Sequence, residues 1–230
     1  MRIAVVLISF LILLSCKEEA SHATTAKPHA PARTLMLSKD LNMPVNYDSY
    51  GNVSFITQGP RGGVLIDANG KKISYRVFRI QIANDTTCSV ELSLKLPASS
   101  IRLLPDTNQY FWAFVFPDSV TPATLKDTFD FGIDVGKYLD TYSQKVSQIK
   151  TIVKPKSNRF IYVGIINGGP DDRTRSVLFL KGHDPKLPFL PTIPTSMPQK
   201  KPQLMLGVGT GPANHYAIIE CGQMVFKKQD

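Results

Sequence analysis

The stretch Cys88–Leu96 reads CSVELSLKL and alternates between apolar and polar residues without a break. Successive side chains of a β-strand point to opposite faces of a sheet, so this pattern predicts a half-buried strand with one wet face. The apolar face consists of Cys88, Val90, Leu92, Leu94 and Leu96. The polar face consists of Ser89, Glu91, Ser93 and Lys95.

Other segments extend this pattern along the chain. Tyr110–Phe116 (YFWAFVF) and Phe160–Ile166 (FIYVGII) are apolar on both faces, which is typical of central strands covered on both sides. Asn69-Gly70 lies between two apolar runs and predicts a hairpin turn over Asp67–Gly70. Further candidate strands are Ile73–Ile82, Ser176–Lys181, His215–Glu220 and Met224–Phe226. Together they predict an all-β fold, an antiparallel β-sandwich of the Ig-like or a similar type, with a barrel as the alternative.

One segment follows a helical period instead. Its apolar residues are spaced by four, three, four and three positions, which predicts a single amphipathic helix of about four turns packed on the sheet core. They are Val135, Leu139, Tyr142, Val146 and Ile149.

Residues 185–202 are unusually rich in proline. Four of the prolines, from Pro185 to Pro194, recur every third residue, which matches the period of a polyproline II helix. Leu187, Leu190 and Ile193 recur at the same interval and form an apolar stripe. We expect this segment to be a rigid strap lying over the domain's own surface, rather than a free Pro-x-x-Pro ligand.

The N-terminus carries a targeting signal. Ile3–Leu14 is an apolar run behind Arg2 that is too short to span a bilayer, which needs about 20 residues. Leu13-Leu14-Ser15-Cys16 follows the run and resembles the lipobox of bacterial lipoproteins. The resemblance implies cleavage before Cys16 and acylation of that residue, as by palmitate, which would hold the chain on a membrane.

Lys17-Glu18-Glu19 resembles the export signal of Bacteroidetes-type surface lipoproteins. This resemblance implies an outer-membrane location, with the cell surface favoured over the periplasmic face. We therefore divide the chain into a signal peptide (1–15), a lipidated cysteine with a flexible tether (16–45) and a single sandwich domain (46–230). Residues 20–34 contain no Leu, Ile, Val or aromatic residue and cannot bury enough surface to fold.

Composition narrows the choice of partners. The chain has 230 residues, 43% of them hydrophobic, and a formal net charge of +9. Its basic residues are spread along the chain rather than clustered, which is typical of a solvated surface and argues against nucleic-acid binding. The expected partners are the membrane through the lipid, and beyond it other envelope proteins or anionic glycans.

Signals for catalysis are weak. The chain has no GxSxG, HExxH or GxxxxGK[ST] motif. His183 and His215 are the only histidines of the predicted domain, and neither has a nucleophile beside it in sequence. Gly207–Gly211 (GVGTG) precedes Pro212 rather than a helix, and we interpret it as an irregular turn. We predict no catalytic residues, metal site or cofactor.

Two kinds of covalent modification are candidates besides lipidation. An exported protein can form disulfides, and Cys88 and Cys221 are the remaining pair; two buried thiols are the alternative. Asp85-Thr86-Thr87 and Asp118-Ser119-Val120 resemble the O-glycosylation acceptor of Bacteroidetes exported proteins, which implies modification at Thr86 and Ser119.

The expected function is that of an outer-membrane lipoprotein acting as a non-enzymatic binding or assembly component of the cell envelope. Two alternatives remain open. One is an envelope hydrolase acting on glycan or peptide through His183 or His215. The other is an accessory subunit of a secretion or uptake machine that docks through the strap.

Overall fold

The computed structural model describes residues 45–66, 70, 72–104, 108–124, 126, 128–142, 147–167, 174–196, 201–210 and 215–227. These residues belong to one compact unit, Leu41–Asp230. The predicted signal peptide, Cys16, the export signal and the tether up to residue 44 lie outside the described residues, and so does most of the predicted turn after Ile66.

Over these residues the chain forms twelve strands, one α-helix and one short 3-10 turn at Asp118–Val120. The helix is α1 (Val135–Tyr142). The strands are β1 (Val45–Tyr50), β2 (Val53–Arg61), β3 (Val64–Ile66), β4 (Lys72–Asn84), β5 (Ser89–Leu96), β6 (Ile101–Arg102), β7 (Tyr110–Val115), β8 (Ser147–Val153), β9 (Ser157–Asn167), β10 (Arg175–Leu180), β11 (Gln203–Thr210) and β12 (His215–Lys227).

The strands form two sheets that pack face to face. Sheet A has seven strands in the order β1-β2-β4-β9-β7-β6, with β3 paired to β4 at one end. Sheet B has five strands in the order β10-β11-β12-β5-β8. Every pairing between named strands is antiparallel. The predicted all-β sandwich is therefore confirmed.

The main core lies between the two sheets and follows the alternation in the sequence. In β5 the side chains of Val90, Leu92, Leu94 and Leu96 are buried, as the alternation over Cys88–Leu96 predicts. In β9 the residues on one face, including Ile161 and Val163, join this core, whereas Tyr162 points into a second cluster on the outer face of sheet A. The prediction that β9 is covered on both sides is confirmed.

Helix α1 and the segment before it cover the second cluster. The ring of Tyr138 stacks on Phe114 with a centroid separation of 4.8 Å and meets Phe116 edge-on at 4.9 Å. Phe131 is fully buried in the same cluster, and the guanidinium of Arg79 lies 4.7 Å from its ring centroid. Aromatic stacking and burial therefore hold the helix on the sheet.

The predicted length of the helix is wrong. The described helix has eight residues rather than about four turns, and Ile149 belongs to strand β8, while Val146 of the predicted stripe lies outside the described residues. The period of β8 was concealed because two of its inward residues are polar: Ser147 and Thr151 are buried beside Val153. The hydroxyl of Ser147 accepts a hydrogen bond from the Val115 backbone N–H at 2.9 Å, which makes a polar side chain acceptable at that position. Pairing with β5 outweighed the local helical spacing.

The strap lies against the domain's own sheet, as expected. Leu187, Leu190 and Ile193 pack with Phe189 over Val177 and Phe179 on the outer face of β10, a contact formed within the described residues 185–196 and 201–202. A stripe that is already covered in this way is not free for a partner.

The interpretation of GVGTG as an irregular turn is wrong for its described residues, which belong to strand β11. A β-carbon added to Gly209 would lie 2.6 Å from the ring of Phe189, and one added to Gly207 would lie 2.7 Å from Leu190. The glycines are needed because the strap lies directly on the backbone of β11. Gly211 and Pro212 lie outside the described residues.

Asn84 forms a polar joint where two chain crossovers between the sheets meet. Its amide nitrogen lies 2.8, 3.0 and 3.1 Å from the carbonyl oxygens of Cys88, Val153 and Lys154. Its side-chain oxygen accepts hydrogen bonds from the backbone N–H and the hydroxyl of Thr86. The residue is fully buried, so these bonds satisfy groups that water cannot reach.

Among the described residues, no helix has the length and hydrophobicity of a membrane-spanning segment.

Candidate functional site

His183, one of the two candidate histidines, has a carboxylate partner. Its ring nitrogen Nδ1 lies 3.0 Å from Oδ1 of Asp48, with the side chains 30% and 10% exposed. This arrangement orients the imidazole as a catalytic dyad would. A hydrolase also needs a nucleophile at Nε2, and among the described residues His183 makes no second side-chain bond.

Asp48 has a structural task that explains its position. Strand β10 is the edge of sheet B, and three of its outward backbone groups bond to side chains of sheet A. The N–H of Leu180 donates to Oδ2 of Asp48 at 2.7 Å, and that of Leu178 donates to the hydroxyl of Thr57 at 3.3 Å. The amide of Asn46 donates to the carbonyl of Ser176 at 2.9 Å.

These side chains replace the missing neighbour strand and close the sandwich at this edge. We name the set Asn46, Asp48 and Thr57 the edge clamp. His183 also contacts the Asp48 carboxylate of the edge clamp. This structural role explains the contact, and a catalytic role is not needed to explain it.

The structure does not bring the two histidines together. His215 begins β12 opposite Thr210, whereas His183 follows Leu180, which pairs with Leu204. Six positions of β11 separate these pairings, or about 20 Å along the strand. The histidines therefore lie at opposite ends of sheet B and cannot share a site.

The candidate disulfide between Cys88 and Cys221 is not present, because Cys221 is a free thiol. The strand register explains this. Cys88 precedes Ser89, which pairs with Lys227, and Cys221 lies six positions before Lys227. That offset is about 20 Å, whereas a disulfide needs Cα atoms within about 7 Å.

Cys221 instead packs in the main core. Its thiol lies 3.4 Å from the carbonyl oxygen of Leu204 and is buried. Burial, and secondly the negative charge of Glu220, raise the pKa of the thiol to about 12. The group is therefore protonated at neutral pH and is not a nucleophile.

The two candidate glycosylation positions differ in accessibility. Ser119 is exposed in the 3-10 turn. The Thr86 hydroxyl lies 2.7 Å from the side-chain oxygen of Asn84 and 2.8 Å from the carbonyl of Cys88. A glycan on Thr86 would break the Asn84 joint, so Ser119 is the better acceptor of the two.

A groove of about 650 Å³ lies on the outer face of sheet B, over β5, β8 and β12. Its volume falls within the roughly 300–1,000 Å³ of small-ligand sites, although its lining is more polar than usual. The side chains that define it are polar or charged. They are Ser93, Lys95, Gln148, Lys150, Gln203, Glu220 and Gln223.

The register arranges these side chains in rows. Gln203 pairs with Gln223, Gln223 with Ser93, and Ser93 with Lys150, so four polar residues from four adjacent strands form one row across the sheet. With strands about 4.8 Å apart, this row is about 14 Å long. Lys95 and Gln148 form the next row.

A β-bulge shapes this face. The pairing of β11 with β12 shifts between Leu204 and Met205, which leaves an extra residue on β12 beside Gly222. A bulge bends its strand and increases the local twist. A β-carbon on Gly222 would lie 2.0 Å from the carbonyl oxygen of Ser93, so only glycine allows β12 to lie this close to β5.

Ion pairs fix several side chains at the groove. Glu220 binds Lys181 at 3.1 Å through one oxygen and accepts from the amide of Gln203 at 2.9 Å through the other. Glu91 binds Lys150 at 3.2 Å and Lys227 at 3.5 Å. Partial burial acts to raise the pKa of the Glu91 carboxyl, but Lys150 and Lys227 outweigh it and hold that pKa below its ordinary value.

Sequence reasoning found one wall of the groove and missed the rest. Ser93 and Lys95 lie on the predicted wet face of β5. Gln148 falls within the predicted helix. Lys150, Gln203 and Gln223 carry no signal in the sequence, because only the strand register shows that these residues are neighbours.

Within the described residues no three His, Cys, Asp or Glu side chains are close enough together to hold a metal ion. No protein-family model matches the chain, and no curated protein is significantly similar to it.

Proposed function

We propose that the protein is a lipid-anchored component of the bacterial outer membrane that binds a ligand at the groove without catalysing a reaction. The observation that carries the proposal is the groove itself, a concave surface of ligand-site volume lined by polar side chains, some of which are held by hydrogen bonds and ion pairs. The lipobox resemblance at Cys16 supports the anchor, and the Lys17-Glu18-Glu19 resemblance supports display on the cell surface.

The edge clamp supports the non-enzymatic part of the proposal. It gives the Asp48–His183 pair a structural role, and the protonated thiol of Cys221 offers no nucleophile. The strap packs on its own sheet, which removes its apolar stripe as a docking surface for a larger machine.

The anchor is tested by Cys16→Ser. The variant cannot be acylated through sulfur, so we expect it to move from the membrane fraction almost entirely to the soluble fraction, because a protein without acyl chains has no buried hydrocarbon to hold it. Fractionation of cells expressing full-length protein measures this, with Ser21→Ala in the predicted tether as the matched control. Retention of Cys16→Ser on membranes at the control level would refute lipid anchoring.

The binding role is tested by placing a photo-crosslinking residue, benzoylphenylalanine, at Gln223 in living cells. We expect irradiation to yield an adduct with an envelope component, because Gln223 lies in the centre of the groove. The same residue at the exposed Lys137 of α1 is the control. Absence of any adduct at position 223, or equal adducts at both positions, would count against the groove as the binding surface.

A further inference from the structure

Resting on the proposed binding function, we infer that the groove takes an acidic oligosaccharide, whose hydroxyl groups bond to the row of amide and hydroxyl side chains and whose acidic group pairs with Lys95. The groove combines a ligand-sized volume, aligned polar side chains and a cation, Lys95, that has no carboxylate partner among the described residues.

The residue types suit a sugar. Gln148, Gln203 and Gln223 each present a carboxamide, which offers both donors and an acceptor. A sugar hydroxyl also donates and accepts, so neighbouring hydroxyls on a ring can bond to one amide in both directions. Ser93 adds a further hydroxyl of this kind between Gln223 and Lys150.

Part of this row is held in place before a ligand arrives. The amide nitrogen of Gln203 donates to Glu220 at 2.9 Å, which directs the oxygen of the same carboxamide to act as an acceptor. Lys181 holds the second oxygen of Glu220 at 3.1 Å. A side chain that is already ordered loses less entropy on binding, which favours affinity for a well-hydrated ligand.

The charges favour an acidic ligand over a neutral one. Lys150 is neutralised by Glu91, whereas Lys95 is exposed and has no carboxylate partner among the described residues. Lys95, Lys150 and Glu220 line the groove. Ion pairs add Glu91, Lys181 and Lys227 to this set, which then has four lysines, two carboxylates and a net charge of +2. A carboxylate on the ligand would satisfy Lys95 through a charge-assisted hydrogen bond.

The length of the row favours several linked sugars over one. Its four side chains extend about 14 Å across the sheet, and the groove that they line has a volume of about 650 Å³. A single ring could contact only part of this row, whereas an extended chain could contact its whole length.

The test uses detergent-purified full-length protein and two probes, a hexuronic acid tetrasaccharide and the same tetrasaccharide with its carboxyl groups reduced to alcohols. Isothermal titration should show the acidic form binding about fivefold more tightly than the reduced form, the size expected of one exposed ion pair. Lys95→Gln should abolish that preference, and Gln223→Ala should weaken both forms about fivefold. Lys137→Gln, on helix α1 over the other sheet, should change neither.

Equal affinity for the two forms would overturn the acidic class, and a preference that survives Lys95→Gln would overturn the pairing of the acidic group with Lys95. Binding of neither form would overturn a glycan ligand altogether. Because the crosslink at position 223 reports any envelope ligand, an adduct there without glycan binding would reject this inference and leave the proposed function standing.

Discussion

Asn84→Ala should lower the free energy of unfolding by about 4 kcal/mol, because it removes a whole set of hydrogen bonds at a buried position. Asn84 makes five hydrogen bonds and is fully buried. Its amide serves carbonyls at the start of β5 and at the end of β8, so both crossovers between the sheets depend on one side chain. Alanine is too small to bring any replacement group to them.

Urea denaturation followed by tryptophan fluorescence measures this effect through Trp112, the single tryptophan of the chain. Asn158→Ala, at an exposed position of β9, is the matched control and should change stability by less than about 0.5 kcal/mol. Asn84→Asp should be as damaging as alanine, because a carboxylate would face three carbonyl oxygens. If Asn84→Ala unfolds at the same urea concentration as Asn158→Ala, the joint contributes nothing to stability.

Asp48→Ala should lower the free energy of unfolding by about 3 kcal/mol, since hydrogen bonds to a charged group contribute more than neutral ones. The substitution leaves the N–H of Leu180 without an acceptor at the edge of sheet B and removes the partner of His183. It also removes the acceptor of the Ser49 N–H. We expect the β10 edge to open, which hydrogen exchange at Leu180 would report as faster exchange.

Asp140→Ala, an exposed carboxylate on α1, is the control for Asp48→Ala. Asp48→Asn should fall between the two, because the amide oxygen can still accept from Leu180. The comparison also separates structure from catalysis. Full stability in Asp48→Ala would remove the structural account of the Asp48–His183 pair and return it to the hydrolase alternative.

Local pattern predicted the sandwich where polar residues were absent from the core. The alternation of Cys88–Leu96 and the doubly apolar segment around Phe160–Ile166 both became the strands expected. The strap followed from the three-residue interval of Leu187, Leu190 and Ile193, since a segment with an apolar stripe must cover apolar surface.

The sequence pattern gave wrong predictions for β8 and β11, where a contact with a distant residue explains the residue type. Ser147 and Thr151 face the core although both are polar, and the Ser147 hydroxyl is satisfied by the backbone N–H of Val115. These two residues conceal the strand period of β8, which therefore resembles a helical one. Gly207 and Gly209 suggested a turn, but they are small because Leu190 and Phe189 lie on them. The hydrogen bond of Ser147 and the close packing on the two glycines both involve residues that are distant in sequence, so the local pattern does not reveal them.

The same distinction applies to the candidate site. The wet face of β5 was predicted, but the groove also needs Gln148 and Lys150 from β8 and Gln203 and Gln223 from β11 and β12. Asp48 and His183 are 135 positions apart, and their bond follows from the way β10 meets sheet A.

Short-range order of apolar and polar residues was therefore enough to predict the class of fold, and the same kind of pattern predicts a targeting signal at the N-terminus. The tertiary structure alone decided which polar side chains share a surface, which cysteine is buried away from its expected partner and why a histidine meets a carboxylate. Those outcomes depend on strand register, and a shift of one residue would turn every side chain to the other face.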